Sequence, residues 1–180
     1  MKIWVFSIGE PTTELCCELL RKYGFEVILL QDNTSLWDKL KRFYTEALAS
    51  KDGRVMRIDA DIIPYEAVKD MNFTELASWT CASGLDWYKQ GEGAISIHLM
   101  SRKAIELCLA NIDSAKDKNR PESHLWRLQD INKLTGINKQ HIYGIHGYGQ
   151  QEHRERIKEL KLSRGQVYNW ELVEQMEKLK

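Results

Sequence analysis

Residues 1–64 alternate between short apolar runs and segments in which apolar residues recur at helical spacing. The apolar runs predict three β-strands, at residues 2–7, 26–30 and 54–58. The middle run is continuous, which is typical of a strand covered on both faces. Strands that alternate with helices through short connections predict a parallel sheet with right-handed crossovers.

Two helices are predicted between these strands. The first begins after Thr12 or Thr13, either of which can cap it, and ends before Gly24, a residue typical of helix C-termini. The second follows the polar segment 32–35 and carries an apolar stripe over residues 36–48. The first half of the chain therefore predicts a β-α-β-α-β unit.

The second half is less regular, and its pattern predicts shorter elements. These are a helix at 65–69, strands at 77–82, 94–100 and 141–145, a helix from Ser101 through Ala110, and a helix opened by Pro121 and closed by Gly136. Residues 151–180 predict two further helices. No repeat or composition shift marks a boundary, so residues 1–180 are expected to form a single domain.

Composition narrows the possible partners. Lys+Arg and Asp+Glu both number 26, and this balance argues against a nucleic-acid partner, which usually requires a basic excess. No apolar run approaches the roughly 20 residues that span a bilayer, and the N-terminal run is too short for a signal peptide. We therefore expect a cytoplasmic protein with four reduced, structural cysteines, Cys16, Cys17, Cys81 and Cys108.

Two acidic residues, Asp59 and Asp61, follow the third predicted strand. Ligands of parallel sheets bind beyond the carboxyl ends of the strands, where loops 7–11, 31–35 and 59–64 should meet. Residues two apart on an extended backbone point to the same side, so both carboxylates can bind one cation. Without a cation they would repel by about 3 kcal/mol at an effective dielectric near 20. Oxygen ligands suit Mg²⁺ or Mn²⁺; the alternative is that Asp59 caps a helix and Asp61 is solvated.

The order of these elements resembles the nucleotide-binding half of GT-A fold glycosyltransferases. The segments EVILLQDNTS and VMRIDADIIP carry the resemblance, which covers residues 2–64 well and the remainder loosely. It implies an α/β, GT-A-like (Rossmann-like) fold with a mostly parallel central sheet flanked by helices. Residues 1–64 would then be the nucleotide-binding half, 65–150 the acceptor half and 151–180 a C-terminal helical tail.

The resemblance also implies the roles of several residues. Asp59 and Asp61 match the D-x-D motif that holds a metal on the diphosphate of a nucleotide sugar. Asp32 matches an aspartate near the nucleoside, and Gly9 lies in the loop 7–11 that would help to position it. UDP is the favoured nucleotide by resemblance alone. From the residues themselves, Asp32 has the alternative role of capping the following helix.

Fainter matches concern the second half. IYGIHGYGQQ resembles a segment that supplies a third metal ligand in some members, which would be His146. PESHLWRLQD resembles the segment in which inverting members place their catalytic base, which makes Glu122 and Asp130 candidates, with Asp86 as a further choice. An acid in a first helical turn also stabilises the helix dipole, which explains Glu122 without catalysis. Arg154 could neutralise the leaving diphosphate, or lie on a solvated helix.

The predicted activity is transfer of a sugar from a nucleoside-diphosphate sugar to an unknown acceptor, a glycan, a lipid-linked glycan or a protein. Trp87 could stack on that acceptor. The chain is short for the family, so it could be a minimal enzyme, a homo-oligomer or one that needs a partner protein. Two alternatives remain. One is a nucleotide-sugar-binding protein without turnover, and the other is a haloacid-dehalogenase-type phosphatase, whose nucleophilic Asp normally follows the first core strand instead of the third.

Overall fold

A computed structural model describes residues 1–86 and 91–147 of the chain. Within them, eight strands form a single sheet: β1 Lys2–Ser7, β2 Glu26–Gln31, β3 Arg54–Asp59, β4 Ile62–Pro64, β5 Trp79–Asp86, β6 Gly91–Ser101, β7 Thr135–Asn138 and β8 Gly144–His146. Their order is β2-β1-β3-β6-β5-β8-β4, and β7 pairs with β5 beside β8.

Four α-helices and two 3-10 helices cover the sheet. They are α1 Thr13–Lys22, α2 Leu36–Ala49, α3 Arg102–Ala110 and α4 Pro121–Asp130, with 3-10 helices at Glu66–Asp70 and Ile112–Ala115. Helix α1 packs on one face of the sheet, while α2, α3 and α4 pack on the other and contact each other. Among the described residues, no helix is long and apolar enough to cross a membrane.

The first half of the chain folds as predicted. Strand β1 pairs in parallel with both β2 and β3, and α1 and α2 are the connecting helices. Ser35 caps α2, since its Oγ accepts from the Asp38 amide at 3.1 Å. Gly24 follows α1 with φ +89°, the left-handed conformation that favours glycine at a helix end. The β-α-β-α-β prediction is confirmed.

Strand β2 is less buried than expected. The prediction that both of its faces are covered is confirmed only in part. Val27 packs on the α1 side and Ile28 on the α2 side, but both are only partly buried, and β2 is the edge strand of the sheet. Leu30 is buried, but Leu29 keeps 38% of its surface exposed. A continuous apolar run is thus not sufficient to identify a central strand when the neighbouring helices reach only part of it.

The second half of the sheet is mixed, so the prediction of a mostly parallel sheet is wrong. Strand β6 lies antiparallel between β3 and β5, and β4 is antiparallel to β8. The reason is the short connection from Asp86 to Gly91, which makes β5 and β6 a hairpin. Strands β7 and β8 return parallel to β5 after α4.

Element boundaries in the second half also differ from the prediction. Pro64 ends β4 instead of opening a helix, and the 3-10 helix begins at Glu66. Helix α4 ends at Asp130, while Gly136 lies within β7. Ser101 caps α3 as expected, accepting from the Ala104 amide at 3.2 Å. The predicted tail helices, residues 151–180, lie outside the described residues.

The four cysteines are buried free thiols, as expected of structural residues. Cys16 and Cys17 face the α1 side of the sheet and Cys108 the α2 side. The Cys81 thiol donates to the Ile95 carbonyl, with Sγ 2.9 Å from the oxygen. Burial raises the pKa of the Cys16 thiol far above its ordinary value, which keeps it protonated and unreactive.

Candidate functional site

A cleft opens at the carboxyl ends of β1, β2 and β3, where sequence reasoning expects a ligand. We name it the first cleft; its cavity volume is about 180 Å³. The loop after β1, the start of α2 and the end of β3 form its walls. The lining residues are Phe6, Ser7, Ile8, Glu10, Thr34, Leu36, Lys39, Asp59 and Asp61.

The loop after β1 is fixed by hydrogen bonds within it. The Glu10 carboxylate accepts from the Ser7 hydroxyl at 2.6 Å and from the Ile8 amide at 2.9 Å. The Gly9 amide donates to Ser7 Oγ at 2.9 Å, and its φ of +99° is strained for other residues. Thr12 Oγ1 donates to the Ala60 carbonyl at 2.7 Å. The loop is therefore held against the segment that carries both aspartates.

Lys39 joins the two loops of the first cleft. It is only 3% exposed, and its Nζ donates to the Ser7 carbonyl at 2.6 Å and the Asp32 carbonyl at 2.7 Å. Its ammonium gives the cleft a positive charge that suits an anionic ligand. The sequence prediction did not include Lys39. Its position beside Leu36 and Phe43 on the apolar stripe of α2 is the signal that a buried lysine was present.

Asp32 lies at the rim of this cleft and shapes the loop after β2. Its Oδ1 accepts from the amide and the hydroxyl of Thr34, which lines the cleft. These hydrogen bonds, helped by Lys39, lower the pKa of the Asp32 carboxyl. Arg42 lies 3.8 Å from its other oxygen. Ser35, not Asp32, accepts the capping hydrogen bond of α2.

Asp59 ends β3 beside a buried arginine. Arg57, two residues earlier on the same face of the strand, is 2% exposed, and its Nη2 lies 3.2 Å from Asp59 Oδ1. The Asp59 side chain keeps 33% of its surface exposed and borders the first cleft. Burial raises the pKa of the Asp59 carboxyl, and the charge of Arg57 opposes that shift.

Arg57 also forms an ion pair with Glu122, at the first turn of α4, through Nη1 and Oε2. Glu122 Oε1 lies 3.0 Å from His98 Nε2, and Trp79 Nε1 donates to His98 Nδ1 at 2.9 Å. Because Nδ1 accepts this hydrogen bond, the His98 ring presents its Nε2–H group to the Glu122 carboxylate. Burial alone would raise the pKa of Glu122, but Arg57 holds it well below the usual range.

Asp61 has a different counter-ion. Its Oδ2 lies 3.2 Å from Nε2 of His146, the last residue of β8, and His146 Nδ1 lies 3.6 Å from Asp86 at the end of β5. The Asp61 carbonyl accepts from the Gly147 amide at 2.8 Å. Burial lowers the pKa of His146, but the two carboxylates raise it to about 10. In the absence of a metal the imidazole is thus a cation between two acids.

Close backbone packing holds β8 in this position. A Cβ atom on Gly84 of β5 would lie 2.7 Å from the Gly144 carbonyl oxygen and would also contact Ile95. A Cβ atom on Gly144 would lie 2.8 Å from the Ile63 carbonyl oxygen. Both distances are far too short for real side chains, so β5, β8 and β4 can approach only because these positions are glycine.

A second cavity, the central cleft, adjoins the first and shares Leu36 and Asp59 with it. Its volume is about 490 Å³. It brings together ionisable side chains from the ends of β3, β5 and β8 and from the start of α4. These are Asp59, Asp86, His146, Arg120 and Glu122. Four of the sequence-predicted residues, Asp59, Asp86, Glu122 and His146, therefore share one cavity, and Asp61 joins them through the first cleft and His146.

The remaining predicted residues lie elsewhere. Asp130 is at the far end of α4, about 12 Å along the axis from Glu122, where it accepts from the Thr135 hydroxyl. It does not join the clefts. Trp87 and Arg154 lie outside the described residues.

Asp59 and Asp61 are the candidates to hold a divalent cation. Both residues line the first cleft, and carboxylate oxygens are the ligands preferred by Mg²⁺. Among residues 1–86 and 91–147, however, no three His, Cys, Asp or Glu side chains are grouped as a metal site. Mg²⁺ is usually held by one or two carboxylates together with substrate phosphates and water. Asp59 and Asp61 are therefore the residues that could hold such an ion together with a phosphate ligand.

Comparisons with known proteins bear on the fold. No protein-family profile and no curated protein sequence matches the chain. Many solved structures match in fold, including the following three. A glycosyltransferase involved in the glycosylation of the major capsid of PBCV-1 has a TM-score of 0.58 at 10% identity, over 87% of this chain and 98% of that one. A protein described as a glucose-1-phosphate thymidylyltransferase from Bacillus anthracis has 0.52 at 10%, over 87% and 94%.

The third is the catalytic domain of Drosophila beta1,4-galactosyltransferase 7, with a TM-score of 0.52 at 11% identity, over 79% of this chain and 67% of that one. At such identities the likeness concerns the fold. The predicted resemblance is thereby confirmed at the level of the fold: the chain has a GT-A-like fold similar to those of glycosyltransferases and a nucleotidyltransferase.

Proposed function

We propose that the protein is a metal-dependent glycosyltransferase that uses a nucleoside-diphosphate sugar. The observation that carries this proposal is the position of Asp59 and Asp61. Both residues border one cleft at the carboxyl ends of the three parallel strands β1, β2 and β3. The fold is similar to that of a glycosyltransferase. The cleft also holds the buried cation Lys39, which suits a negatively charged ligand.

The nucleotide would occupy the first cleft. Ile8 and Leu36, which are 71% and 42% exposed, offer apolar surface for the base. The ribose would lie near Asp32, which contacts the lining residue Thr34, and near the loop that contains Gly9. UDP is the first choice because of the family resemblance. The diphosphate would lie beside Asp59 and Asp61, and the sugar would extend into the central cleft.

A bound Mg²⁺ or Mn²⁺ would offset the negative charge that develops on the leaving diphosphate. Asp59 and Asp61 would hold it, and His146 is the third candidate ligand because its Nε2 lies 3.2 Å from Asp61. Arg57 positions Asp59 through one carboxylate oxygen, Oδ1. With Arg154 outside the described residues, Lys39 is the cation that we assign to the donor side.

The acceptor would enter the central cleft from the side of α4. Glu122 lines that cleft and remains a candidate base, but its ion pair with Arg57 holds its pKa so low that it accepts a proton poorly. Its first role is thus to keep Arg57 in place. Asp86 lines the same cleft and is the further candidate for the base if the reaction inverts configuration, although it too faces a cation, the imidazole of His146.

The decisive experiment is a thermal-shift panel of nucleoside mono- and diphosphates and nucleotide sugars, with and without Mn²⁺. We expect one nucleoside diphosphate and its sugar to raise the melting temperature only when metal is present. Asp59→Ala and Asp61→Ala should remove that effect, because each deletes a metal ligand. Asp113→Ala, at a side chain that is 82% exposed and outside the clefts, is the matched control and should retain it.

Stabilisation by nucleoside monophosphates alone, or stabilisation that ignores metal, would contradict the proposal. Product identification separates the neighbouring possibilities. Transfer or slow hydrolysis of the sugar indicates a transferase, whereas metal-dependent UDP binding without turnover indicates a nucleotide-sugar-binding protein. The four buried free thiols suit a reducing compartment, so we place the activity in the cytosol.

A further inference from the structure

A third cavity lies beside the central cleft, along helix α4. We name it the α4 cleft; its volume is about 340 Å³. Its floor is strand β6, whose alternating residues Ala94, Ser96 and His98 point to one side of the sheet. Ile137 of the edge strand β7, 41% exposed, closes the far end.

Helix α4 forms the wall of this cleft. Glu122 and Trp126 are four residues apart, as are Ser123 and Arg127, so all four side chains lie on one face of the helix. Trp126 packs edge-on against Trp79, with ring centroids 4.9 Å apart, and lies 6.3 Å from the His98 ring. These contacts fix the orientation of the indole while it still borders the cleft.

The α4 cleft is continuous with the central cleft. Both are lined by residues of β6 and of the first turn of α4, including Ala94, Ser96, Glu122 and Ser123. From Ala94 to His98 the floor extends about 14 Å along the strand, longer than a single pyranose ring. A ligand that reacts near Asp59 can therefore continue past Glu122 to Trp126.

We propose that the acceptor is an oligosaccharide of at least two sugar units. The reacting unit occupies the central cleft, and the next unit lies in the α4 cleft against Trp126. This inference rests on the proposed transferase function. The lining matches a pyranose, which has both an apolar C–H face and polar hydroxyls: Trp126 and Ile137 offer apolar surface, while Ser96, Ser123 and Arg127 offer hydrogen bonds.

The charge of the cleft supports a neutral or weakly anionic glycan. The carboxylate of Glu122 is compensated by Arg57, so among the described lining residues Arg127 is the charged side chain that remains available to a ligand. Within that described lining, a cationic ligand would meet this guanidinium and the Glu122 carboxylate already paired with Arg57. The open, partly polar floor also differs from an apolar lipid-binding groove.

The test is a ladder of mono-, di- and trisaccharides of glucose, galactose, mannose and xylose, in both anomeric linkages. Each is titrated into the protein saturated with UDP and Mg²⁺, and its Kd is measured by ligand-observed NMR. For the sugar and linkage that match the acceptor, we expect the disaccharide to bind about tenfold more tightly than the monosaccharide. Trp126→Ala should reduce that ratio to about one, and Trp126→Phe should restore most of it.

Two further variants keep the test independent of folding defects. Arg127→Ala, at an exposed position, should reduce the disaccharide preference about threefold without loss of the fold. Arg21→Ala, at an exposed position of α1 on the opposite face of the sheet, is the matched control and should change nothing. Retained UDP binding in every variant shows that the donor side is intact.

Equal affinity for mono- and disaccharides across the whole panel would overturn the inference while leaving the transferase proposal standing. A disaccharide preference that survives in both Trp126→Ala and Arg127→Ala would overturn it as well, since the second sugar would then lie elsewhere. Loss of metal-dependent UDP binding in the unmodified protein would instead reject the proposed function itself.

Discussion

Asp59 and Asp61 are two residues apart and border the same cleft, yet their counter-ions lie in different parts of the molecule. Asp59 faces Arg57, which is 2% exposed and belongs to a buried chain of polar groups reaching Glu122, His98 and Trp79. Asp61 faces His146, whose side chain is 23% exposed, at the end of the short strand β8.

Asp59 is thus held by a side chain of the core, and Asp61 by a side chain at the surface of the cleft. Arg57, the counter-ion of Asp59, also pairs with Glu122 of helix α4. Replacing Arg57 should therefore disturb the fold. The counter-ion of Asp61 is shared with Asp86 across the central cleft, so altering it disturbs chiefly the ligand site. Two acids of one motif should therefore respond differently when their partners are removed.

Arg57→Met should have the largest effect. It removes a buried cation and leaves Glu122, which is only partly exposed, and Asp59 without their counter-ion; breaking a buried pair costs about 3–5 kcal/mol of folding free energy. In a chain of 180 residues this lowers the melting temperature by about 10 °C. Urea unfolding and calorimetry measure the change.

The matched control is Arg54→Met, at an exposed arginine of the same strand, which should alter stability by no more than about 0.5 kcal/mol. Replacing both Arg57 and Glu122 by Met should recover part of the loss, because one unpaired buried charge is removed. Equal stabilities of Arg57→Met and Arg54→Met would show that the polar chain does not support the fold.

Glu122→Gln should have the next effect, and it should depend on pH. The pKa of Glu122 is below its unfolded value of 4.5, so its contribution to stability is present above about pH 5 and is lost as pH falls below that value. The difference in unfolding free energy between the parent and the variant should shrink by about 2 kcal/mol from pH 7 to pH 3.

Urea titrations of both proteins at pH 3, 4, 5 and 7 provide that measurement. A difference that stays constant over this range would mean that Glu122 is not held ionised by Arg57 in the folded state. A difference that grows toward low pH would have the wrong sign for a carboxyl whose pKa is lowered by folding.

His146→Gln should have the smallest effect on stability, about 1 kcal/mol, because the side chain is partly exposed. Its effect on ligand binding should be larger: the affinity for Mn²⁺ in the presence of UDP should fall about tenfold, as is usual when a group next to a metal site is changed. Isothermal titration measures the affinity. His141→Gln, at an exposed position, is the control.

A loss of several kcal/mol in His146→Gln, comparable to that of Arg57→Met, would remove the distinction between the two aspartates. Unchanged metal affinity together with unchanged stability would show that His146 neither contacts the ion nor orients Asp61. Either result is independent of whether the acceptor is known.

The sequence predicted the first half of the fold closely because each element there has a clear period. The predicted strand at 54–58 and the observed β3 differ by one residue, and this fixed the position of Asp59 at the sheet edge. The second half could not be predicted in the same way. Short apolar runs do not reveal their partners, so the antiparallel insertion of β6 and the pairing of β4 with β8 were missed.

The acidic residues of the candidate site were predicted from the sequence, but the buried cations that pair with them were not. Arg57 interrupts the apolar run of β3, and His98 interrupts that of β6; each should have indicated a buried polar partner. What no local pattern supplies is the partner's identity, since Arg57 and Glu122 are 65 positions apart. The sequence identified Glu122 as a candidate base but could not show that the guanidinium of Arg57 forms an ion pair with its carboxylate.

The two glycines that allow β5, β8 and β4 to approach have a consequence for variants found by random mutagenesis. Alanine at Gly84 or Gly144 changes no charge and touches no ligand, yet it must push β8 outward and carry His146 away from Asp61. Inactivating substitutions in a screen of this protein should therefore include these backbone positions, and an inventory of polar residues alone would overlook them.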